Sequence, residues 1–194
     1  MYTNIAKHMD FFKRMLFANQ WLFKPLIEAS VSQSPAGNAM LRTTTAPTML
    51  SGSVKANVLP ATATATINFR IHPRDTIESV TSWVEAAIND PRITIKTSQA
   101  FKPSNVANSD SQGFKNIAAV TRDVQGDIIV TPGLTIAATD SQFYSKITDA
   151  YRFNPINLTH AYLSGFHGTN ERIDIKNMED AVKFYTRLMR QPAQ

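Results

Sequence analysis

Residues 61–71 read ATATATINFRI, and this stretch decides the fold class of the first half of the chain. Every odd-numbered position in it is apolar, whereas the even-numbered positions carry threonine, Asn68 or Arg70. Because successive side chains of a β-strand point to opposite faces of a sheet, a strict period of two predicts a strand. We expect one face of this strand to lie on a core and the other face to be polar.

A second strand is predicted just before the first one. Residues 43–54 are rich in threonine and contain Pro47, which is confined to sheet edges and bulges because it lacks a backbone N–H. Residues 55–60 form a short connection between the two stretches, and such a connection favours an antiparallel pair. The sequence therefore predicts a β-hairpin with Pro47 at an edge or a bulge.

Helical periodicity surrounds this hairpin. Helices are predicted over residues 8–18 and 21–31, with Pro25 shortening or kinking the second one, and residues 34–38 are expected to break the helix. Thr76 is a candidate N-cap for a helix ending near Ile88, and residues 92–98 alternate again as a strand. The order helix, strand, strand, helix, strand is most of a ferredoxin-like sandwich without its opening strand, so we expect the chain to begin inside a domain.

The pattern changes after Pro103. Helices are predicted over residues 110–124, 140–147 and 177–190, and short strands over 127–131 and 151–153. Alternating strands and helices are typical of an α/β layer. The fold class is thus α+β followed by α/β, with one domain over residues 1–104 and a second over residues 105–194.

Composition excludes several functional classes. The 194 residues include no cysteine, which rules out disulfides and thiolate metal sites. The net charge of +5 is scattered along the chain, so a nucleic-acid-binding role has charge alone in its favour. No apolar run approaches the roughly 20 residues of a membrane-spanning helix. The compartment stays open, and both a cytoplasmic and an exported protein fit the sequence.

Three groups of residues have chemical potential. His167 is followed by Gly168, which lets a ligand approach the backbone, and Glu171 either orients the imidazole or caps the next turn. Arg70 lies on the polar strand face, where a guanidinium suits bidentate binding of a carboxylate. Asn57 stands 13 positions earlier, so both side chains can face one surface. Thr139 begins a predicted helix, whose amides favour anions.

Each of these residues also has a simpler interpretation. A histidine in a loop is more often structural or solvated than a metal ligand. Arg70 is equally suited to pairing with a neighbouring acid, and Thr139 to capping the helix that follows it. From the residues alone, these alternatives stay open.

Taken in order, several segments resemble the dinuclear-zinc peptidase family that includes carboxypeptidase S, aminoacylase, succinyl-diaminopimelate desuccinylase and carnosine dipeptidase. The Arg-Thr-Thr and Tyr-Arg-Phe stretches are typical of the carboxypeptidase S branch. The segments that carry the resemblance are RTTTAPT at 42–48, SGSVKANVLP at 51–60, NFRIHP at 68–73, TDS at 139–141, YRF at 151–153 and HGTNERI at 167–173.

The resemblance implies a fold and a set of roles. It makes residues 1–104 part of a lid or dimerisation domain and residues 105–194 the C-terminal part of a catalytic domain. It makes His167 a zinc ligand, Arg70 the group that grips the substrate carboxylate, and Asn57 a polar residue that approaches the reacting carbonyl, often across a dimer. Thr139 would line the substrate pocket, where Gln142 replaces the arginine frequent in this branch.

The resemblance also implies what this chain lacks. The complete family enzyme holds two zinc ions, whose other ligands and general base are expected upstream of Met1. We therefore expect a fragment of a zinc-dependent hydrolase of dipeptides or N-acyl amino acids that does not retain zinc and is inactive alone. Its partners would be the substrate and a second copy bound through the lid. The alternative is a ferredoxin-like dimerisation or binding module without catalysis.

Overall fold

The computed structural model describes residues 2–137, 139–163 and 165–191. The chain starts with four helices: α1 (Tyr2–Ala6), α2 (Phe11–Ala18), α3 (Gln20–Ser32) and α4 (Pro35–Leu41). Each packs against the next one along the chain. The helices predicted over 8–18 and 21–31 are confirmed as α2 and α3, and α3 continues through Pro25 to its full length.

The predicted break is confirmed by the end of α3 at Ser32, but it is shorter than residues 34–38, because α4 begins at Pro35. Ser34 is the N-cap, with its hydroxyl accepting a hydrogen bond of 3.1 Å from the backbone N–H of Gly37, and Pro35 occupies the first turn, where its missing N–H costs nothing. Gly37 is buried, and a Cβ there would lie 2.2 Å from the carbonyl oxygen of Val31. Glycine therefore allows α4 to fold back closely on α3.

The predicted hairpin is confirmed as β1 (Thr44–Ser51) paired antiparallel with β2 (Thr64–Arg70). Its register runs from Thr44 opposite Arg70 to Ser51 opposite Thr64, and residues 52–63 connect the strands. The register shifts between Pro47 and Met49, so Pro47 borders a β-bulge. This position suits proline because it lacks the backbone N–H that a regular ladder uses.

Helix α5 (Ile77–Ile88) follows the hairpin and confirms the predicted cap. Thr76 Oγ1 accepts a hydrogen bond of 3.1 Å from the N–H of Ser79, and Ser79 Oγ accepts one of 2.9 Å from the N–H of Thr76. The helix ends at Asn89, whose left-handed backbone (φ 42°) suits a C-cap.

The apolar face of β2 is less covered than predicted. A cavity of about 310 Å³ separates the hairpin from α5, and its apolar lining includes Phe69, Val80 and Trp83. Ile67 is 39% exposed and Trp83 63% exposed. The alternation along β2 therefore gives its two faces different characters, but the described residues of this chain do not bury the apolar one.

The strand predicted over residues 92–98 is also wrong. These residues contain no strand, and the sheet in the described part of the chain has two strands only. A β-strand is stabilised by backbone hydrogen bonds to a neighbouring strand, and among the described residues no strand pairs with this segment. The mixture of helices and a small sheet confirms the α+β class, whereas the ferredoxin-like arrangement stays a prediction.

The rest of the chain is built around two helices in contact, α6 (Gln112–Gln125) and α9 (Ile175–Met189). They confirm the helices predicted over 110–124 and 177–190. Phe184 on α9 is 1% exposed, and Ala118 and Val120 on α6 are also buried. The other helices, α7 (Ser141–Tyr144) and α8 (His160–Leu163), are single turns, so the helix predicted over 140–147 is shorter than expected.

The short strands predicted over 127–131 and 151–153 are wrong, because neither segment joins a ladder. Residues 151–153 are instead held by their side chains. The hydroxyl of Tyr151 donates 2.7 Å to the carbonyl oxygen of Asn108, and the ring of Phe153 lies 5.1 Å from that of Phe184, between centroids. In the described part of the chain no helix has both the length and the apolar character needed to cross a membrane.

Candidate functional site

Arg70 lies at the last position of β2, on the face that points away from α5. Its neighbours Phe69 and Thr45 pair across the strands and line the cavity beside α5, so alternation places Arg70 and its partner Thr44 on the opposite face. Arg70 is exposed, and no carboxylate lies within 4.0 Å of its guanidinium among the described residues. The geometry leaves the guanidinium open to an anion.

Asn57 lies in the connection between the strands and is exposed. The register puts this connection next to the Ser51–Thr64 pair, whereas Arg70 pairs with Thr44 at the other end. A strand rises about 3.3 Å per residue, so the two ends of β2 lie about 20 Å apart. Within one chain, the structure therefore does not bring Asn57 and Arg70 together.

His167 occupies a tight turn that follows α8. Its backbone has a left-handed φ of 57°, and Asn170 has a φ of 62°. The N–H of Gly168 donates 2.9 Å to the carbonyl oxygen of Gly165, which closes the turn. His167 is exposed, and its ring meets the ring of Phe166 edge-on at 5.8 Å. A histidine in this conformation is unusual, because the Cβ of an L-residue crowds the backbone there.

Glu171 stabilises the turn through the backbone. One carboxylate oxygen accepts a hydrogen bond of 3.2 Å from the N–H of His167. This contact matches neither role considered from the sequence, since it leaves the imidazole untouched and the turn that it stabilises precedes Glu171.

The described residues do not fit a metal ion by themselves. Nowhere among them do three histidine, cysteine, aspartate or glutamate side chains converge. Zinc sites in proteins use three or four protein ligands, and His167 alone would be one. We therefore derive no catalytic step through a metal from these residues.

Thr139 lies in a cluster of hydroxyl groups rather than at a helix cap. The cap of α7 is Asp140, and Thr139 Oγ1 instead hydrogen-bonds to Ser141 Oγ and accepts 3.3 Å from the N–H of Ser141. The guanidinium of Arg152 joins the cluster, with Nε donating 2.6 Å to Ser141 Oγ and 3.4 Å to Thr139 Oγ1. Its Nη2 donates 2.7 Å to Ser104 Oγ.

Sequence reasoning missed Arg152 as a functional candidate, although it quoted the Tyr-Arg-Phe stretch. The signal was present in the alternation of that stretch. Tyr151 and Phe153 are aromatic and pack on helices, so the residue between them must point elsewhere. The cation beside Thr139 is therefore Arg152. Position 142, where arginine is frequent in the carboxypeptidase S branch, holds glutamine in this chain.

Asp180 and Tyr162 have shifted pKa values, and both line a separate cavity of about 330 Å³ beside α9. The hydrogen bond from Lys176, at 2.6 Å, lowers the pKa of Asp180, and the charges of Lys176 and Lys183 act in the same direction. The hydrogen bond to Asp174 raises the pKa of Tyr162, which stays protonated as the donor. The Lys176–Asp180 ion pair links two turns of α9, and the Tyr162–Asp174 hydrogen bond joins α8 to the residue before α9.

Comparison with known proteins identifies the family. The model of the peptidase family M20/M25/M40 matches residues 18–191, which is most of the chain. The chain belongs to this family. The M20 match includes all four residues singled out from the sequence, and it joins the hairpin and the helices α6 and α9 in one family unit.

The curated relatives of this M20 chain include enzymes that act on amide bonds by name. It is 38% identical to the N-fatty-acyl-amino acid synthase/hydrolase PM20D1 of Mus musculus over 93% of the chain and 37% of the relative. It is 38% identical to the probable carboxypeptidase S-like 2 of Dictyostelium discoideum over 91% of the chain and 34% of the relative. Human aminoacylase-1 is 29% identical over 73% of the chain and 35% of its own length.

The chain therefore spans little more than a third of the length of these relatives. A search of solved structures gave no match.

Proposed function

We propose that this chain is part of a zinc-dependent amide hydrolase that cleaves dipeptides or N-acyl amino acids. The observation that carries the proposal is the M20/M25/M40 match, together with relatives named for N-acyl amino acids, carboxypeptidase and aminoacylase activity. The chain would supply substrate-binding residues and one ligand, His167, to a site with two zinc ions. The other ligands and the general base would come from outside the described residues, and the chain alone would be inactive.

Arg70 is proposed to bind the free carboxylate of the substrate. Its support is the open polar face of β2, where no described acid neutralises the guanidinium. A planar guanidinium offers two parallel N–H groups to a carboxylate, a geometry that lysine cannot reproduce. Thr139 is proposed to line the substrate pocket through the hydroxyl cluster described above.

Asn57 is proposed to act on the site of a second copy. It lies in the connection at the far end of β2 from Arg70, and the strand between those ends is about 20 Å long, more than one small substrate spans. A homodimer through residues 43–98 would remove this difficulty. The exposed apolar side chains on β1 support such an interface, since Met49 is 64% exposed and Leu50 82% exposed.

The proposed domain boundary lies between residues 104 and 105. It is supported by the start of side-chain hydrogen bonds to the C-terminal region at this point. Ser104 accepts from Arg152, and Asn105 Nδ2 donates 3.2 Å to the carbonyl oxygen of Ser145. Residues 1–104 would form the lid or dimerisation domain, and residues 105–194 would belong to the catalytic domain.

A chimera tests the proposal. The matching segment of the Dictyostelium carboxypeptidase S-like 2 relative is replaced by this chain, and hydrolysis of N-acetyl amino acids and dipeptides is measured with added zinc. We expect hydrolysis by the chimera, its loss in His167→Ala, and no turnover by the chain alone. The control is His8→Ala, which removes an exposed histidine outside the site and should leave activity unchanged.

A folded chimera without activity, or one in which His167→Ala is as active as the parent, would contradict the proposal. An inactive chimera that forms a discrete dimer would favour the alternative of a binding or dimerisation module.

A further inference from the structure

Arg152 is fixed by three hydroxyl groups from two segments of the chain. Its Nε is shared between Ser141 Oγ and Thr139 Oγ1, and its Nη2 donates to Ser104 Oγ at 2.7 Å. Arg152, Ser104 and Ser141 are half-buried. We call these four residues the hydroxyl–arginine site. Its neutral oxygens orient the guanidinium without neutralising its charge.

The charge of Arg152 has no counter-ion in the described part of the chain. No carboxylate lies within 4.0 Å of its guanidinium there, whereas Arg92 pairs with Asp90 and Arg187 with Asp123, both at 2.6 Å. Removing a charge from water without an opposite charge is unfavourable. An anion should therefore bind this half-buried guanidinium, which is held only by hydroxyls, with a more favourable free energy than it would bind an ordinary surface arginine.

The donors that remain on Arg152 have the geometry for a carboxylate. A guanidinium carries five N–H groups. The Nε group and one Nη2 group bind hydroxyls, and among the described residues both Nη1 groups and the second Nη2 group have no acceptor. Neighbouring N–H groups on Nη1 and Nη2 form the parallel pair that carboxylates accept. The hydroxyl of Ser104, which lies at Nη2, can also rotate and donate to an anion there, while Ser141 and Thr139 hold Nε in place.

The site is also preorganised by the residues on either side of Arg152. Tyr151 donates 2.7 Å to the carbonyl oxygen of Asn108 and packs on Phe114, with ring centroids 6.0 Å apart. Phe153 packs on Phe184 at 5.1 Å. Because both neighbours are anchored, little ordering of the backbone is needed when an anion binds.

We infer that the hydroxyl–arginine site binds the free carboxylate of the substrate through Arg152. This inference rests on the proposed function and adds a second substrate-binding arginine, carried by residues 105–194, to Arg70 on the hairpin. It assigns a binding role to the cation next to Thr139, and it predicts that acids are recognised where amides of the same shape are not.

Titration of the complete chain, with nitrogen-15 in its arginines, tests the inference directly. The Nε–H resonances are followed by NMR while N-acetyl-L-leucine, N-acetyl-L-leucinamide or inorganic phosphate is added. The Arg152 resonance is assigned by its loss in Arg152→Lys. We expect N-acetyl-L-leucine to shift this resonance saturably and the amide to leave it in place. The Arg187 resonance, already paired with Asp123, is the internal control.

Two variants separate the roles. Ser141→Ala keeps the guanidinium but removes one hydroxyl, and it should weaken carboxylate binding about fivefold, as the loss of one hydrogen bond does. Arg74→Lys, which changes an exposed arginine bonded to the carbonyl oxygen of Leu41, should leave the Arg152 shift intact. If Arg152→Lys does not fold, Ser141→Ala replaces it. The Arg152 resonance is then assigned as the one that shifts when the Ser141 hydroxyl is removed.

Three outcomes overturn the inference: no shift at Arg152, an equal shift with the amide, or phosphate binding at least tenfold tighter than the carboxylate, which would mark a phosphate site. Failure here is distinguishable from failure of the proposed function. A chimera that hydrolyses N-acetyl-L-leucine with the same kinetic constants in its Arg152→Lys form would remove the inference and leave the hydrolase.

Discussion

The side chain of Asn177 exchanges two hydrogen bonds with the backbone of Asn157. Asn177 Oδ1 accepts 2.9 Å from the N–H of Asn157, and Asn177 Nδ2 donates 3.3 Å to its carbonyl oxygen. Asn177 is buried in the first half of α9. The pair therefore fastens the irregular segment before α8 to the helix that carries the C-terminal core.

Asn177→Leu should destabilise the chain by about 1–3 kcal/mol, because it removes both hydrogen bonds that the buried Asn177 makes to the backbone of Asn157. The measurement is the free energy of unfolding from urea titration. The control is Asn116→Ala, whose amide contacts Gln112 on the surface of α6 at 2.7 Å, and which should change stability by less than about 0.5 kcal/mol. Equal effects of the two variants would contradict the role of the pair.

Asp180 should make stability depend on pH on the acid side. The hydrogen bond from Lys176 lowers its pKa in the folded chain below the ordinary value of 3.8. The stabilisation that the carboxylate provides is therefore fully present above 3.8 and is lost as the pH falls through the lower, folded-state pKa. The difference in unfolding free energy between wild type and Asp180→Asn should shrink as the pH falls below 3.8.

This pH dependence is measured by urea unfolding between neutral and strongly acidic pH. Glu179→Gln is the control with the same change in charge, since Glu179 is exposed and lies 4.0 Å from Lys183. A difference between wild type and Asp180→Asn that stays constant across the range would show that Asp180 stabilises the helix without being ionised.

His167→Gly should not destabilise the chain, and it should stabilise it by up to about 1 kcal/mol. Glycine adopts a left-handed φ without the steric cost that histidine bears at 57°. His167→Val should be destabilising, because a β-branched side chain is worse still in this conformation. Thermal unfolding of both variants checks the expectation, with Thr169→Val as the control for adding an exposed apolar side chain to the turn. Greater loss with glycine than with valine would mean that the imidazole itself stabilises the turn.

Arg70→Lys should impair the chimeric enzyme toward acids. The charge stays and the planar fork is lost, which should cost on the order of 1.5–3 kcal/mol. This corresponds to a fall in kcat/KM of roughly tenfold to 150-fold. The comparison is Arg74→Lys, since Arg74 is likewise exposed and its guanidinium donates 2.7 Å to the carbonyl oxygen of Leu41. Unchanged kinetic constants in Arg70→Lys, or equal rates for acids and their amides, would remove the assigned role.

Residues 43–98 should associate into a discrete dimer. Both strands of a two-stranded sheet have an unpaired edge, and β1 exposes Met49 and Leu50. Leu50→Asp should weaken the association at least about tenfold, as the loss of a buried apolar contact and the burial of a charge require. Sedimentation equilibrium over a range of concentrations measures it, with Ile175→Asp, 80% exposed on α9, as the control. A wild-type chain that is strictly monomeric at high micromolar concentration would contradict the prediction.

Local chemistry made much of the fold predictable from the sequence. Strict alternation over residues 61–71 gave β2, Pro47 gave the bulge, and Thr76 gave the start of α5. Each of these signals acts within a few residues of the element that it determines, through side-chain direction, a missing donor or a cap.

The failures share a different cause. Residues 92–98 and 151–153 alternate as strands do, but a ladder needs a partner that the described residues do not provide. The break predicted over residues 34–38 is shorter than expected, because Pro35 occupies the first turn of α4 and Gly37 allows close packing. Arg152 escaped notice because its significance comes from Ser104, which is distant in sequence and is brought to it by folding.

The hairpin fixes the distance between its turn and its open end. Each pair of residues removed from or added to both strands changes that distance by about 6.6 Å while keeping every side chain on its own face, whereas a single residue would invert the faces. The length of the hairpin can therefore change only by two residues in each strand if every side chain is to keep its face. Shortening β1 and β2 by two residues each, between the Ser51–Thr64 pair and the bulge, should draw Asn57 back by about 6.6 Å and leave Arg70 where it is.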